Sequence, residues 1–301
     1  MTDNRKDVCV FIPTLNEERS IGEVVNGFKE LGFENILVID GLSTDRTVEI
    51  AKKAGANVIP QKGKGKGIAI QQAFEMIQDD VIVMIDGDGT YRPSEVDRLL
   101  HPIFKGTADH VIGNRFADYS KGAFTRLNLQ GNKILNRLFG FAYGVQLEDI
   151  LSGYRAFTKQ AIKDMDLNKA GFEIETEMTI ESVKKELRVL EVPITYQARV
   201  KSVTKLNPIR DGIKIWNTLY SLVKTHNPMF YFGLIGACFI IVGTISGIFV
   251  IYDWFRNVEH IPLTIFTALM IITGVQVFIF GQLGNLIVAL QKDMIREIKK
   301  R

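Results

Sequence analysis

Cysteine is almost absent: Cys9 and Cys238 are the only two among 301 residues. Cys9 sits in an apolar, strand-like run and Cys238 inside a long apolar segment, which argues against a disulfide framework and suits a soluble part in reducing cytosol. Internal repeats and low-complexity tracts are missing as well. The excess of one sign of charge is small. A net charge of +3 is too small for a nucleic-acid footprint, and no RRM, KH or zinc-finger pattern is present; a basic membrane-facing flank accounts for the excess better. The first strand is not followed by Gly-x-Gly-x-x-Gly, and the Lys-Gly tract at 62–67 has no Gly-Lys-Ser or Gly-Lys-Thr after it. The chain therefore has neither a dinucleotide-binding fingerprint nor a Walker A loop. Residues 1–7 are polar and contain no signal-peptide apolar stretch, so membrane targeting is expected from the C-terminal half.

Apolar residues make up 46% of the chain, enough for one soluble domain of about 200 residues and a membrane appendage. Residues 8–12, 36–39 and 81–85 are short, rich in Val and Ile and bounded by polar or turn residues. They read as buried strands. Between them, 17–31, 47–54 and 69–77 carry apolar residues at helical spacing. This βαβαβ order predicts an α/β fold with a parallel sheet, right-handed crossovers and a ligand crevice at the carboxyl ends of the strands.

Residues 229–254 contain no charge except Asp253. About 24 helical residues reach roughly 36 Å, enough for a hydrocarbon core of about 30 Å. A second uncharged stretch, 262–290, includes Gln276, Gln282 and Asn285, which are expected to face the other helix or a bundle interior. The two spans predict a transmembrane hairpin. Lys214, Lys224 and His226 precede it and Lys292, Arg296, Lys299, Lys300 and Arg301 follow it, so the positive-inside rule places both ends in the cytoplasm. The expected organisation is a catalytic domain at 1–207, an interfacial linker helix at 208–228, the spans within 229–291 and a basic tail at 292–301.

Four motifs fall where the crevice is expected. Pro13-Thr14-Leu15-Asn16-Glu17 closes the first strand, where it suits a nucleotide; Thr14 and Glu17 equally fit the spacing of a helix capping box. Asp40 ends the second strand and can accept hydrogen bonds from a base or ribose, while Ser43, Thr44 and Asp45 suit a cap for the next helix. The Lys62–Gly67 alternation of cations and glycines lets backbone and ammonium groups approach a diphosphate, with Lys66 nearest the following helix; a solvated loop is the plainer alternative. Asp86 and Asp88, one residue apart, point to the same side of an extended segment and repel unless a cation or proton lies between them. Mg²⁺ or Mn²⁺ suits such oxygen ligands; a polar Asp-Gly turn is the alternative. Residues 124–143 interleave Leu127, Ile134, Leu135, Leu138 and Phe139 with Arg126, Lys133 and Arg137, fitting either an interfacial helix near lipid phosphates or an ordinary surface helix. Residues 209–223, with Trp216 and Tyr220, form a second interfacial candidate.

Together, Pro13-Thr14-Leu15-Asn16-Glu17, Val38-Ile39-Asp40-Gly41 with Ser43-Thr44-Asp45, and Asp86-Gly87-Asp88 resemble a GT-A family 2 glycosyltransferase. Ile112-Gly113-Asn114-Arg115-Phe116, Asp149-Ile150-Leu151-Ser152-Gly153-Tyr154-Arg155 and Thr204-Lys205-Leu206 are similar to later motifs of dolichyl-phosphate mannose synthases and their archaeal relatives. The resemblance implies metal-dependent, inverting transfer from a nucleotide sugar to a dolichyl or other polyprenyl phosphate, for glycan assembly such as N-glycosylation. By motif it assigns Pro13, Leu15, Glu17, Asp40, Lys66 and Asp86 to the nucleotide, and Asp86 with Asp88 to the metal. Arg115, Arg126, Arg199 and Lys205 go to phosphates; Asp149, Ser152 and Arg155 shape the sugar and acceptor site, with Arg155 also able to act as a brace. Asp88, Arg115 and Asp149 are the expected catalytic set. Gly41 replaces a second Asp, and Thr90 stands where a metal-binding Gln is usual. The Asp-Gly-Asp-Gly-Thr-Tyr form is closer to relatives using UDP-glucose or UDP-N-acetylglucosamine, and the latter is the expected donor. GDP-mannose and UDP-glucose remain the alternatives, and a silent nucleotide-sugar-binding anchor is the competitor from another class. Two spans without a larger channel argue against a processive polysaccharide synthase. The expected setting is the cell membrane of an archaeon or bacterium, with membrane lipids and further copies of the chain among the expected neighbours.

Overall fold

The structure, a computed structural model, describes residues 2–171, 173–198 and 228–300. The chain separates into two units, Met1–Thr218 and Leu219–Arg301. In the first, seven strands form one mixed sheet in the order β3-β2-β1-β4-β6-β5-β7. The strands are β1 (Val8–Thr14), β2 (Ile36–Asp40), β3 (Asn57–Pro60), β4 (Val81–Met84), β5 (His110–Tyr119), β6 (Arg155–Thr158) and β7 (Val189–Tyr196). Helices α1 (Ile21–Glu30), α2 (Thr47–Lys53), α3 (Lys66–Met76), α4 (Val96–Phe104), α5 (Arg126–Tyr143), α6 (Lys159–Asp164) and α7 (Ile174–Lys184) connect them. This is the GT-A architecture that the motifs imply.

Strand β1 shows why the sheet lies between two apolar layers. Its alternate residues Val8, Val10 and Ile12 join a cluster with α1 and α4, while Cys9 and Phe11 join one with α3 and α7. Burying each such side chain contributes roughly 1.5–3 kcal/mol relative to exposure. Burial, its largest cause, pushes the Cys9 thiol up to about 12, so Cys9 behaves as a small apolar residue rather than a nucleophile.

Strands β1, β2, β3 and β4 are parallel, with Thr14 opposite Asp40. Strand β6 runs antiparallel to both β4 and β5, pairing Arg155 with Met84 and with Ile112. The residues that precede β6 therefore arrive at the same sheet edge as those that follow β4 and as the middle of β5. One reversed strand gathers the 149–154, 86–88 and 113–115 segments.

Several local expectations need correction. Strand β3 was not foreseen, since Asn57-Val58-Ile59-Pro60 is short, half-exposed and ends in proline. Helix α1 begins at Ile21 rather than residue 17, so Thr14 and Glu17 form no capping box. The Glu17 backbone N–H instead donates to Thr47 Oγ1 at 2.7 Å. Helix α5 lacks residues 124 and 125; Thr125 caps it, accepting from the Asn128 N–H at 3.1 Å. Asn136, Phe139 and Ala142 on one side of α5 are buried, while Arg126, Lys133, Ile134, Arg137 and Phe141 are exposed. The second interfacial candidate, 209–223, and nearly all of the linker at 208–228 lie outside the described residues.

In the second unit, α8 (Pro228–Trp254) and α9 (Ile261–Lys300) form an antiparallel hairpin. Met229–Trp254 and Ile261–Leu290 are long and apolar enough to cross a membrane, and only 11% and 6% of their most apolar stretches is buried. Glycines bring the helices together: a β-carbon on Gly274 would lie 2.9 Å from the Gly236 carbonyl oxygen. Ser246 and Thr267 share a hydrogen bond of 2.8 Å. Gln276, Gln282 and Asn285 are exposed on the hairpin rather than turned toward α8, because the glycine seam fills that contact. Replacing Gly274 with leucine is expected to destabilise the hairpin by about 1–3 kcal/mol, read as a lower unfolding midpoint of the detergent-solubilised protein; an unchanged midpoint would exclude the seam.

Candidate active site

At the carboxyl end of β1, Pro13 is buried and Leu15 is 40% exposed, while Glu17 is nearly enclosed. Beside them Asp40 accepts from the Ser43 hydroxyl at 2.6 Å and the Ser43 N–H at 2.9 Å. Ser43 Oγ also accepts from the Asn16 N–H at 2.8 Å, so it ties the two turns together rather than capping α2. Asp45 takes the capping part, accepting from the Thr47 N–H at 3.0 Å. Asn16 and Leu42 hold left-handed φ of 50° and 66°, a local strain that this hydrogen bonding must offset. A β-carbon at Gly41 would come within 3.3 Å of both the Thr14 carbonyl and Gln61. The position has little room for a second aspartate.

Lys66 opens α3, and its ammonium lies 2.5 Å from Asp86 Oδ1 and 2.5 Å from Glu175 Oε1. Burial alone would depress its pKa, but Asp86 and Glu175 together raise it well above the usual lysine value. The cation is fixed. The glycines around it do something other than admit a diphosphate. The Gly67 N–H donates to the Ala170 carbonyl at 2.9 Å, and β-carbons on Gly65 and Gly67 would lie 2.2 Å and 2.0 Å from the carbonyls of Ala170 and Lys169. Both are consumed by the close approach of the chain's own backbone.

Strand β4 ends at Met84, and 87–89 form a turn rather than an extended run. Asp88 is buried, and its Oδ1 accepts from the Thr90 hydroxyl at 2.6 Å and the Thr90 N–H at 3.1 Å. Asp86 stays more open, with 24% of its side chain exposed. It packs on Gly153, where a β-carbon would stand 2.3 Å from Asp86 Oδ2. Two carboxylates with only oxygen donors fit a hard divalent cation. Among the described residues no three His, Cys, Asp or Glu side chains form a metal cluster, so a cation here would also need phosphate oxygens or water.

Across the crevice Arg115 meets Asp149 in a bidentate pair of 2.7 Å and 2.6 Å, with the Arg115 N–H adding a third bond of 2.9 Å. The guanidinium lies 5.3–5.8 Å from the ring centroids of Phe116, Phe124 and Tyr196, an aromatic enclosure that suits a cation. Burial would lower the Arg115 pKa; Asp149 overrides it and holds it well above the usual value.

Asp149 is held in turn. Glu191 on β7 accepts the backbone N–H groups of Glu148 and Asp149 at 2.8 Å and 2.7 Å. Asn136 of α5 accepts from the Ile150 N–H at 3.3 Å and donates to the Glu148 carbonyl. Ser152 is fully buried and Arg155 is 0% exposed. Arg155 donates to the carbonyls of Ser152 and Ile150, each at 2.7 Å, and to Thr179 Oγ1 at 2.8 Å. With no surface and its donors so engaged, Arg155 braces the loop and is not placed to bind an acceptor phosphate. Burial brings its pKa down to about 10.

Behind Arg155, His110 stacks on Phe157 with centroids 4.3 Å apart. Ser182 Oγ donates to the Met178 carbonyl at 2.8 Å, so it accepts from His110 Nδ1–H at 2.7 Å; Nε2 then faces Arg155 at 3.3 Å as an acceptor. Burial, and then Arg155, keep this imidazole neutral, its pKa well below 6.5.

The structure thus brings Asp86, Asp88, Lys66, Arg115, Asp149, Ser152 and Arg155 to one sheet edge, with Pro13, Leu15, Glu17 and Asp40 at the neighbouring strand ends. Arg126 is exposed at the start of α5. Arg199 and Lys205 lie outside the described residues. Glu175, Glu191, Asn136, Tyr91 and the aromatic enclosure were not anticipated. Tyr91 accepts from the Gly153 N–H at 2.8 Å. In α7 the run Ile174–Ser182 mixes acids and hydroxyls like a solvated helix, yet all of it is buried.

A family profile described as glycosyl transferase family 2 matches residues 9–166. Glycosyltransferase AglJ of Haloferax volcanii is 45% identical over 296 residues, covering 97% of each chain. A dolichyl-phosphate hexose transferase of the same organism is 34% identical, over 71% of this chain and 92% of its own. Among solved structures, glucosyl-3-phosphoglycerate synthase from Mycobacterium tuberculosis in complex with Mn²⁺ and UDP-glucose superposes with a TM-score of 0.60 at 22% identity, covering 72% of this chain and 78% of that one.

Two outcomes follow from the buried pairs. Asp149→Asn leaves the Arg115 charge without its partner and is expected to cost roughly 3–5 kcal/mol in denaturant unfolding; a loss below about 1 kcal/mol would place the pair in effective contact with solvent. Because folding depresses the His110 pKa, the unfolded chain binds more protons near and below its ordinary value of about 6.5. The stability contributed by neutral His110 is complete above that value and is lost as pH falls. His110→Gln should flatten the decline in unfolding midpoint between about pH 7.5 and 5.5, whereas an unchanged slope would assign the decline to other groups.

Proposed function

Because the chain belongs to glycosyl transferase family 2, we propose that it transfers a sugar from a nucleoside diphosphate to a polyprenyl phosphate at a membrane, with inversion at the anomeric carbon. The observation that carries this reading is the meeting of Asp86 and Asp88 with the Arg115–Asp149 pair at one sheet edge. An acidic pair suits a metal–diphosphate, and a caged arginine suits a phosphate. The dolichyl-phosphate hexose transferase relative supports a lipid phosphate as acceptor.

In this reading Pro13, Leu15, Glu17 and Asp40 hold the nucleoside, with exposed Leu15 offering an apolar surface to the base. Asp86 and Asp88 would hold Mg²⁺ or Mn²⁺, which when bound would neutralise charge on the diphosphate; the Mn²⁺ bound by the solved fold relative supports such a cation. Lys66 adds a fixed ammonium beside Asp86. Arg115, oriented by Asp149, receives the acceptor phosphate together with Arg126, Arg199 and Lys205. An oxygen of that phosphate forms the new bond to the anomeric carbon, while the bond to the nucleoside diphosphate breaks and its electron pair leaves with the diphosphate. A phosphate monoester with a second pKa of about 6 is already largely anionic at neutral pH. No side chain needs to act as base, and Asp149, fully committed to Arg115, is a positioning residue.

The donor is a UDP-sugar, with UDP-N-acetylglucosamine first on the form of the Asp86–Tyr91 motif. UDP-glucose is the second reading, supported by the hexose transferase relative and by the UDP-glucose complex of the fold relative. The apolar surface left open on α8 and α9 fits lipid, which makes the hairpin an anchor with both ends cytoplasmic. The exposed basic and apolar side of α5 suits an interfacial position. Archaeal relatives support an archaeal cell membrane.

Purified protein given dolichyl phosphate, Mg²⁺ or Mn²⁺ and one radiolabelled donor at a time should move label from a UDP-sugar into the lipid phase. Label from GDP-mannose alone would overturn the donor assignment, and none from any donor with UDP still bound would favour the silent anchor. Asp88→Asn keeps the Oδ1 acceptor for Thr90 and is expected to fold, yet to lose about a hundredfold or more in transfer. Wild-type turnover by that variant at saturating Mg²⁺ would remove Asp88 from the site.

A further inference from the structure

We propose that Glu175 is the positioning residue for Lys66, sharing its ammonium so that Lys66 and Asp86 do not form a one-to-one pair and Asp86 stays available to a metal–diphosphate. The inference rests on the nucleotide-sugar reading of the site. Lys66 Nζ stands 2.5 Å from one oxygen of each carboxylate. The two partners differ in setting: the Glu175 side chain is 5% exposed and that of Asp86 is 24% exposed. Glu175 is the closed end of the bridge and Asp86 the open end.

Glu175 is anchored. It belongs to the fully buried stretch of α7, and its backbone carbonyl accepts from Thr179 Oγ1 at 3.0 Å, the hydroxyl that also receives Arg155. Its second oxygen, Oε2, is buried with no hydrogen-bond partner. Leaving a buried acceptor unpaired is costly. Among the described residues the carboxylate's direct partner is the lysine, and the buried Arg155 guanidinium acts on it through space.

One ammonium shared by two carboxylates leaves the trio with a net negative charge, and Asp86 with only part of a cation. A ligand that claims Asp86 need not strip it of a whole counter-ion, because Lys66 keeps Glu175. Without the Glu175 charge, Lys66 and Asp86 become a one-to-one pair at the edge of the crevice. Incoming Mg²⁺ and diphosphate must then break that pair. Loss of the Glu175 charge also takes the trio from net negative to neutral, which at a distance favours an anion; the tightened Lys66–Asp86 contact acts at closer range and opposes binding more strongly.

The experiment is calorimetric titration of the full-length protein in detergent with UDP and Mg²⁺, for wild type, Glu175→Gln, Lys66→Met and the double variant. Glu175→Gln is expected to weaken UDP–Mg²⁺ binding by about tenfold, to raise the Mg²⁺ concentration giving half-maximal transfer, and to leave the acceptor KM unchanged. In the Lys66→Met background the same substitution should add nothing. An equal loss in both backgrounds, or a rise in acceptor KM without a change in UDP binding, would overturn the proposal. If Glu175→Gln fails to fold, Glu175→Asp, which keeps the charge at shorter reach, should show a smaller Lys66-dependent loss; wild-type UDP binding in that variant would overturn the proposal as well. Wild-type protein that binds no UDP would remove the nucleotide-sugar reading itself, and the inference with it.

Discussion

The site depends on a guanidinium that never meets solvent. Arg155 sits at the first position of the one strand that opposes both its neighbours, and it has to satisfy its donors without water. It does so on the carbonyls of Ile150 and Ser152, on Thr179 and on neutral His110. Two of these bonds hold the turn before β6 to the guanidinium, and the other two join that turn to α7 and β5. A buried charge with an unfilled donor is expensive, so the turn has little freedom to adopt another shape. From that constraint come the place of Asp149 against Arg115 and of Gly153 against Asp86.

The same logic governs the crevice. Lys66 has Asp86 and Glu175, and Arg115 has Asp149, so each of these cations is balanced by acids of the chain itself. In the proposed reading, ligand entry is then an exchange of partners rather than the filling of an open charge. Such exchange costs less than desolvating bare ions, because the protein dipoles and charges already surround the point of contact.

Much of this was readable from residues alone, and the gaps have physical causes. Strands β1, β2 and β4 announce themselves because both faces are covered, which leaves continuous Val and Ile runs. Their parallel run carries the Pro13–Glu17, Asp40 and Asp86–Asp88 motifs to one edge of the sheet. Strand β3 lacked such a run because it lies at the border of the sheet. The Thr14 and Glu17 spacing imitated a capping box, but Glu17 and its neighbours are drawn into hydrogen bonds with the Ser43–Thr47 turn, a contact 27 residues or more away in sequence. Glycines at 65 and 67 read as room for a ligand when they are room for 169–170. Glu175 stayed hidden because a helix dotted with acids looks solvated, and only the partner across the fold, Lys66, reveals that it is not.

The hairpin has a dimension that matters apart from chemistry. Its apolar stretches of 26 and 30 residues extend roughly 39 and 45 Å at about 1.5 Å per residue, against a hydrocarbon core of about 30 Å. In the membrane-spanning reading proposed above, the surplus has to be taken up by tilt or by local thickening of the bilayer. With its two helices locked along a glycine seam, the hairpin must lean as one body. Membrane thickness thereby becomes a mechanical input: a thinner bilayer lays the pair over, and a thicker one stands it up.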